Sequence, residues 1–156
     1  IERGLKKLAF ISGDTTPARV RLNGYTDAIK EAGHEPDEKL LMLMKPEESL
    51  YMVVNRIIKN GADALYTPGT SMQGIEAMHV LRNVMNLDIP TDISLIAGEN
   101  AGVSMFQHPP MTTIDEPLEK MAKTAVDMIL TLSAKKKVKT KTITFPAELI
   151  VRDSVR

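Results

Sequence analysis

The stretch Leu8-Ala9-Phe10-Ile11-Ser12-Gly13, followed after a short polar loop by Ala18-Arg19-Val20-Arg21-Leu22-Asn23-Gly24-Tyr25, decides the fold. A short apolar run closed by a glycine reads as a buried strand, predicted over residues 5–12. Thr16 and Pro17 then read as the N-cap and first residue of a helix. That helix is predicted to continue to about Ala32, with Ala18, Leu22, Tyr25, Ile29 and Ala32 on one face and Gly33 as its stop. Arg19 and Arg21 stand in its first turns, where free backbone N–H groups carry partial positive charge and favour carboxylates over cations. Such a pair suits an anionic or hydroxyl-rich ligand, because a guanidinium offers a rigid fork of donors. A solvated helix edge, or pairing with Asp27 or Glu31, accounts for the same positions.

The alternation then repeats along the chain. An apolar run at 40–44 reads as a second strand. Pro46 is expected to open a helix striped by Leu50, Val53, Val54, Ile57 and Ile58 and ended by Asn60-Gly61. A third strand at 62–67 leads through Pro68-Gly69-Thr70-Ser71 into a helix with Ile75, Met78, Leu81 and Met85 inside. A fourth strand at 93–97 is followed by Gly98-Glu99-Asn100. After His108-Pro109-Pro110 comes an extended run at 111–115. Past Pro117 lies an amphipathic helix bearing Leu118, Met121, Ala122, Ala125, Met128, Ile129 and Leu132. A lysine-rich connection (Lys135, Lys136, Lys137, Lys139, Lys141) reads as a solvated linker and precedes a last extended stretch at 142–152. Repeated strand–helix units predict an α/β fold with a mainly parallel, doubly wound sheet. Ligands in such sheets bind beyond the carboxyl ends of the strands. The candidate loops are therefore 13–17, which includes Asp14, then 44–46, 68–71 and 98–100.

The 156 residues suffice for one domain with a proper core, and their 43% hydrophobic and 26% charged content is that of a soluble globular chain. Zero formal net charge argues against a nucleic-acid-binding face. The absence of cysteine excludes disulfides, thiolate metal sites and a catalytic thiol, and fits a cytoplasmic address. His34, His79 and His108 lack metal-ligand spacing, so no metal or cofactor is expected. No run is long enough to span a membrane, and the first residues lack a signal-peptide pattern. Ser12-Gly13-Asp14 does not continue as a P-loop, no G-x-S-x-G elbow occurs, and no nucleophile stands with a base. A non-catalytic protein is expected. Ile1 in place of Met points to a piece of a longer protein.

Four ordered stretches resemble the effector-binding core of the lactose-repressor/galactose-repressor family of bacterial transcription regulators. They are the opening strand and Arg-Val-Arg-Leu-Asn-Gly-Tyr helix, Ile89-Pro90-Thr91-Asp92-Ile93-Ser94-Leu95-Ile96, Pro109-Pro110-Met111-Thr112-Thr113-Ile114 with Pro117, and Pro146-Ala147-Glu148-Leu149-Ile150-Val151-Arg152-Asp153-Ser154. The resemblance implies a periplasmic binding protein type I-like core of two lobes with ligand between them, of which this chain holds mostly one lobe. Residues 1–110 and 140–156 would form the C-terminal lobe. Residues 111–139 would be a crossover strand and helix belonging to an N-terminal lobe that is otherwise absent, along with the DNA-binding headpiece. Arg21 matches the family's ligand-contacting arginine and Arg19 its neighbour. Glu99 falls where the family has a ligand-binding aspartate, although the aromatic residue before it is missing. Asp115 lies in the crossover lining the cleft, and Met44 aligns with a position often aromatic. The loop at 68–69 carries Pro-Gly in place of a polar pair. The implied partners are a small-molecule effector (a sugar, nucleoside or related polar metabolite), a second copy in a homodimer, and DNA only through the absent headpiece, with no membrane role. A solute-binding protein of a sugar transport system shares the fold and is the alternative. The last amphipathic helix would bury its stripe in the absent lobe, and otherwise must pack elsewhere or under another chain.

Overall fold

Strand β1 (Leu8–Gly13) is buried along almost its whole length and occupies an interior position of a six-stranded sheet. The computed structural model describes residues 4–69, 71–98, 100, 102–134, 140 and 142–156. The remaining elements are α1 (Thr16–Glu31), β2 (Leu41–Met44), α2 (Leu50–Lys59), β3 (Ala64–Thr67), α3 (Ser71–His79), β4 (Ser94–Ala97), β5 (Thr112–Asp115), α4 (Leu118–Ser133) and β6 (Glu148–Ile150). The strand order is β2-β1-β3-β4-β5-β6, with the first five parallel and β6 antiparallel to β5. This is the mainly parallel α/β sheet expected from the sequence.

Local chemistry sets the helix ends. α1 is capped one residue earlier than expected: Thr15 Oγ1 accepts from the Ala18 N–H at 3.3 Å, which moves Pro17 to the second helical position. Its far end matches the reading, since Gly33 takes φ +78 and its N–H donates to Lys30 O. α2 does not begin at Pro46. That residue sits in a turn, and Ser49 provides the cap, accepting from Met52 N at 3.3 Å. Glu48 closes the turn by accepting from Lys45 N and from Arg56, and these bonds hold its carboxyl below the usual range. α3 continues into a π-helical turn at Val80–Val84.

The core lies mainly on one sheet face, where Val53, Val54 and Ile57 of α2 and Ala77 of α3 meet Ile11, Leu65 and Leu95. Gly74 lets α3 close on the sheet, for a Cβ there would stand 2.6 Å from the Ala97 Cβ. The opposite face carries α1 and an aromatic cluster of Phe10, Tyr25 and Tyr66, with ring centroids 5.5–6.0 Å apart.

β5 is part of this sheet, pairing Ile96↔Thr112 and Ala97↔Thr113, because Met111 is fully buried in the core and anchors the strand beside β4. The chain leaves the sheet only at α4. No residue of α4 is buried, and Leu118, Val126, Ile129, Leu130 and Leu132 are all more than half exposed. The last extended run is shorter than expected. β6 pairs Asp115↔Glu148, and β5 ends there, so residues before 148 have no ladder partner. Ser154 fastens the tail: its Oγ accepts from Thr112 N at 2.8 Å and donates to Leu95 O at 2.6 Å. Of the lysine-rich connection, 135–139 and 141 lie outside the described residues.

Candidate functional site

In a parallel sheet the strand carboxyl ends share one edge, and the loops leaving it diverge where the winding reverses. Here that point lies between β1 and β3, because β1 is followed by β2 on one side and β3 on the other. A cleft of about 790 Å³ opens there, walled by the ends of β1, β3, β4 and β5 and the start of α1. Its floor is tight. A Cβ on Gly98 would fall 2.5 Å from the Pro68 backbone, so the loops after β3 and β4 touch only because position 98 has no side chain.

Arg21 and Asp115 both line this cleft. Arg21 Nη2 meets Glu116 Oε1 at 3.4 Å, a pair sequence reasoning did not foresee. Asp115 Oδ1 accepts from Asn100 Nδ2 at 2.8 Å. Asn100 is itself held, its side-chain oxygen accepting from Arg152 Nη2 at 2.9 Å and from Thr113 Oγ1 at 3.1 Å. Arg152 also donates to Met111 O at 2.6 Å and Thr113 Oγ1 at 2.9 Å. The Tyr66 phenol lies close enough to sense the Arg21–Glu116 pair. Burial pushes its pKa up, Arg21 draws it down and Glu116 adds to the rise.

The other expected residues fall differently. Arg19 donates to Asp14 Oδ2 at 2.6 Å, both are well exposed, and neither lines the cleft. Of the two arginine pairs only Arg21–Glu116 belongs to the cleft, and neither arginine meets Asp27 or Glu31. Met44 also stands outside the lining, with its sulfur accepting from Gln73 Nε2 at 3.7 Å, and it is Gln73 that faces the cleft. Glu99 and Thr70 lie outside the described residues. Glu116 was detectable, since it follows directly on the strand carrying Asp115. Arg152 carried no such signal, because it joins the site from 39–52 positions away.

The described lining includes no aromatic ring. Its charges are Arg21 against Glu76, Asp115 and Glu116. A second hollow of about 410 Å³ lies on the α1 face, lined by Leu5, Leu8, Tyr25, Ile29, Tyr66 and Val155 among others. It reaches toward the amino ends of the strands and has no charged group in its wall, so it offers little to a polar ligand. Among the described residues, no three His, Asp or Glu side chains cluster as a metal site, and no helix is long and apolar enough to cross a membrane.

A family model described as a periplasmic binding protein-like domain matches residues 1–155. The HTH-type transcriptional repressor PurR of Pasteurella multocida (strain Pm70) is 29% identical over 162 residues, covering 100% of this chain and 48% of the repressor. The ribose operon repressor of Escherichia coli (strain K12) is 31% identical over 145 residues, covering 83% of this chain and 40% of its own length. The chain thus spans about half the length of the curated relatives it matches. Among solved structures, the transcription regulator CcpA of Lactococcus lactis superposes with a TM-score of 0.86 at 22% identity, over 99% of this chain and 58% of that one. The transcriptional regulator CelR in complex with cellobiose gives 0.85 at 25% identity, over 98% and 48%. The chain belongs to the periplasmic binding protein-like domain family, its curated relatives include transcriptional repressors, and the solved structures it resembles include LacI-family regulators.

Proposed function

We propose that this chain is the ligand-sensing part of a LacI/GalR-type transcriptional regulator, binding a small polar effector and performing no catalysis. The observation that carries the reading is the cleft at the switch point of the sheet, where Arg21, Glu116 and Asp115 present donors and acceptors together. A guanidinium beside carboxylates suits paired hydroxyls, which accept from the one and donate to the other. Glu99, one position before Asn100, is proposed as a further acceptor. Asp14, Arg19 and Met44 are proposed to act from the rim.

In this reading α4 lays its apolar face on a second lobe, supplied by the part of the relatives' length that this chain does not cover. DNA contact belongs to that same part, and the intact protein works as a cytoplasmic homodimer. Effector shifts the closure of the lobes to the extent that it contacts the open and closed forms differently. A transport-linked solute-binding protein is the second reading, favoured by the family description alone. The deciding experiment is Arg21→Ala in the full-length regulator, with effector affinity read by calorimetry. Loss of binding with an unchanged melting temperature is expected, and unchanged affinity would overturn the assignment.

A further inference from the structure

The Arg21–Glu116 pair has a consequence for which ligands can enter, resting on the reading of this cleft as the ligand site. Arg21 is the one cation of the described lining, and its guanidinium already has a carboxylate at 3.4 Å. Asp115 and Glu76 add two further negative charges to the same wall. The start of α1 gives little compensation, because Pro17 has no N–H and the Ala18 N–H is taken by Thr15 Oγ1. Arg19 gives none, since it is paired with Asp14 outside the lining.

We infer that Glu116 is a specificity-determining residue that keeps anions off Arg21 and restricts the cleft to polar ligands that are uncharged or cationic on the side facing β5. A phosphate or carboxylate reaching Arg21 must displace Glu116 or share the guanidinium with it, and either way it stands among unneutralised carboxylates. A hydroxyl accepts from Arg21 and donates to Glu116, leaving the ion pair charge-balanced. An ammonium reaches Glu116 or Asp115 directly. The two residues are each 42–43% exposed, so the pair selects by charge while adding little to stability.

The test is a titration of the intact chain with inorganic phosphate, following the Arg21 Nε–H resonance at low ionic strength. It compares wild type, Glu116→Gln, and Glu116→Gln combined with Arg21→Ala, the last followed through the backbone amide of Gly13. The carboxamide keeps the size of the side chain and removes its charge. Phosphate is expected to bind Glu116→Gln at least tenfold more tightly than wild type, and the added Arg21→Ala is expected to abolish the gain. Equal phosphate affinity in wild type and Glu116→Gln, weak or strong, overturns the inference, as does a gain that survives loss of Arg21. A parallel titration with ribose and glucosamine separates the two proposals. Should neither bind while phosphate still distinguishes the variants, the effector reading loses its support and the role of Glu116 stands.

Discussion

Arg152 and Asn100 meet across 52 positions of sequence, the Nη2 of the arginine donating to the side-chain oxygen of the asparagine at 2.9 Å. That bond fixes which end of the amide faces Asp115, so the NH2 group is presented to the carboxylate and the oxygen to the guanidinium. The tail of the chain thereby orients a side chain of the cleft.

Replacing Arg152 with Met should remove charge-assisted bonds to Met111 O, Thr113 Oγ1 and Asn100 while preserving much of the apolar stem. The expected cost is about 2–3 kcal/mol, of the order of one hydrogen bond to a charged group that is only half-buried. Urea unfolding checks it: the midpoint should fall with an unchanged slope, and Arg152→Lys should recover part of the loss.

Ser154→Ala tests the clip between tail and sheet. The fully buried hydroxyl serves Thr112 N and Leu95 O, and its removal strands the Thr112 N–H away from water. A loss of about 1–3 kcal/mol is expected. Amide exchange should accelerate first at Thr112.

Two effects oppose each other at Gly74→Ala. Alanine favours a helix by about 1 kcal/mol, but its Cβ would lie 2.6 Å from the Ala97 Cβ on β4, which is no flexible chain end. Overpacking of this kind costs about 1–3 kcal/mol, so the variant should melt lower than wild type.

The pH dependence lies on the alkaline side. Burial raises the phenols of Tyr25 and Tyr66 above their usual 10.0, with Asp63 adding to the rise at Tyr25. A group whose folded pKa exceeds its unfolded one contributes stability that is complete below the unfolded value and is lost as pH rises through the folded value. Stability should therefore be insensitive to these groups at neutral pH and decline from about pH 10 upward, where an unfolded tyrosine begins to ionise. Tyr66→Phe should flatten that decline, as read from urea midpoints across pH 8–11.

The exposed face of α4 should make the isolated chain associate or bind an apolar dye, since Leu118, Val126, Ile129, Leu130 and Leu132 are together more than a monomer usually shows. Ile129→Gln with Leu130→Gln should reduce both effects without lowering the melting temperature, because neither side chain is buried. Light scattering that finds a clean monomer with no dye uptake would count against this.

What the sequence revealed and what it hid divide along a physical line. Periodicity and caps located β1 to β5 and α1 to α4 to within about four residues, because apolar spacing is dictated by a helix or strand's own burial, whereas the last extended run was read six positions too early at its start. Pro46 misled, since the residue that stops a strand need not start the next helix, and Ser49 held the better cap. Arg21 stood out by its place beside the loop after β1 and Asp115 only through the family resemblance, and both line the cleft. The partner of Arg21 was harder to find, because an ion pair joining α1 to the end of β5 depends on how the sheet brings residues 95 positions apart together. Arg19 lies outside the described lining, paired with Asp14 only five positions away.

The antiparallel match of Asp115 with Glu148 has a mechanical meaning. The strand that leads out to α4 and the strand that follows it are one hydrogen-bonded ribbon at the rim of the sheet. Asp115 and Glu116 stand where that ribbon gives way to the sixteen-residue α4, so in the proposed reading a ligand held there would bear on the junction between sheet and helix.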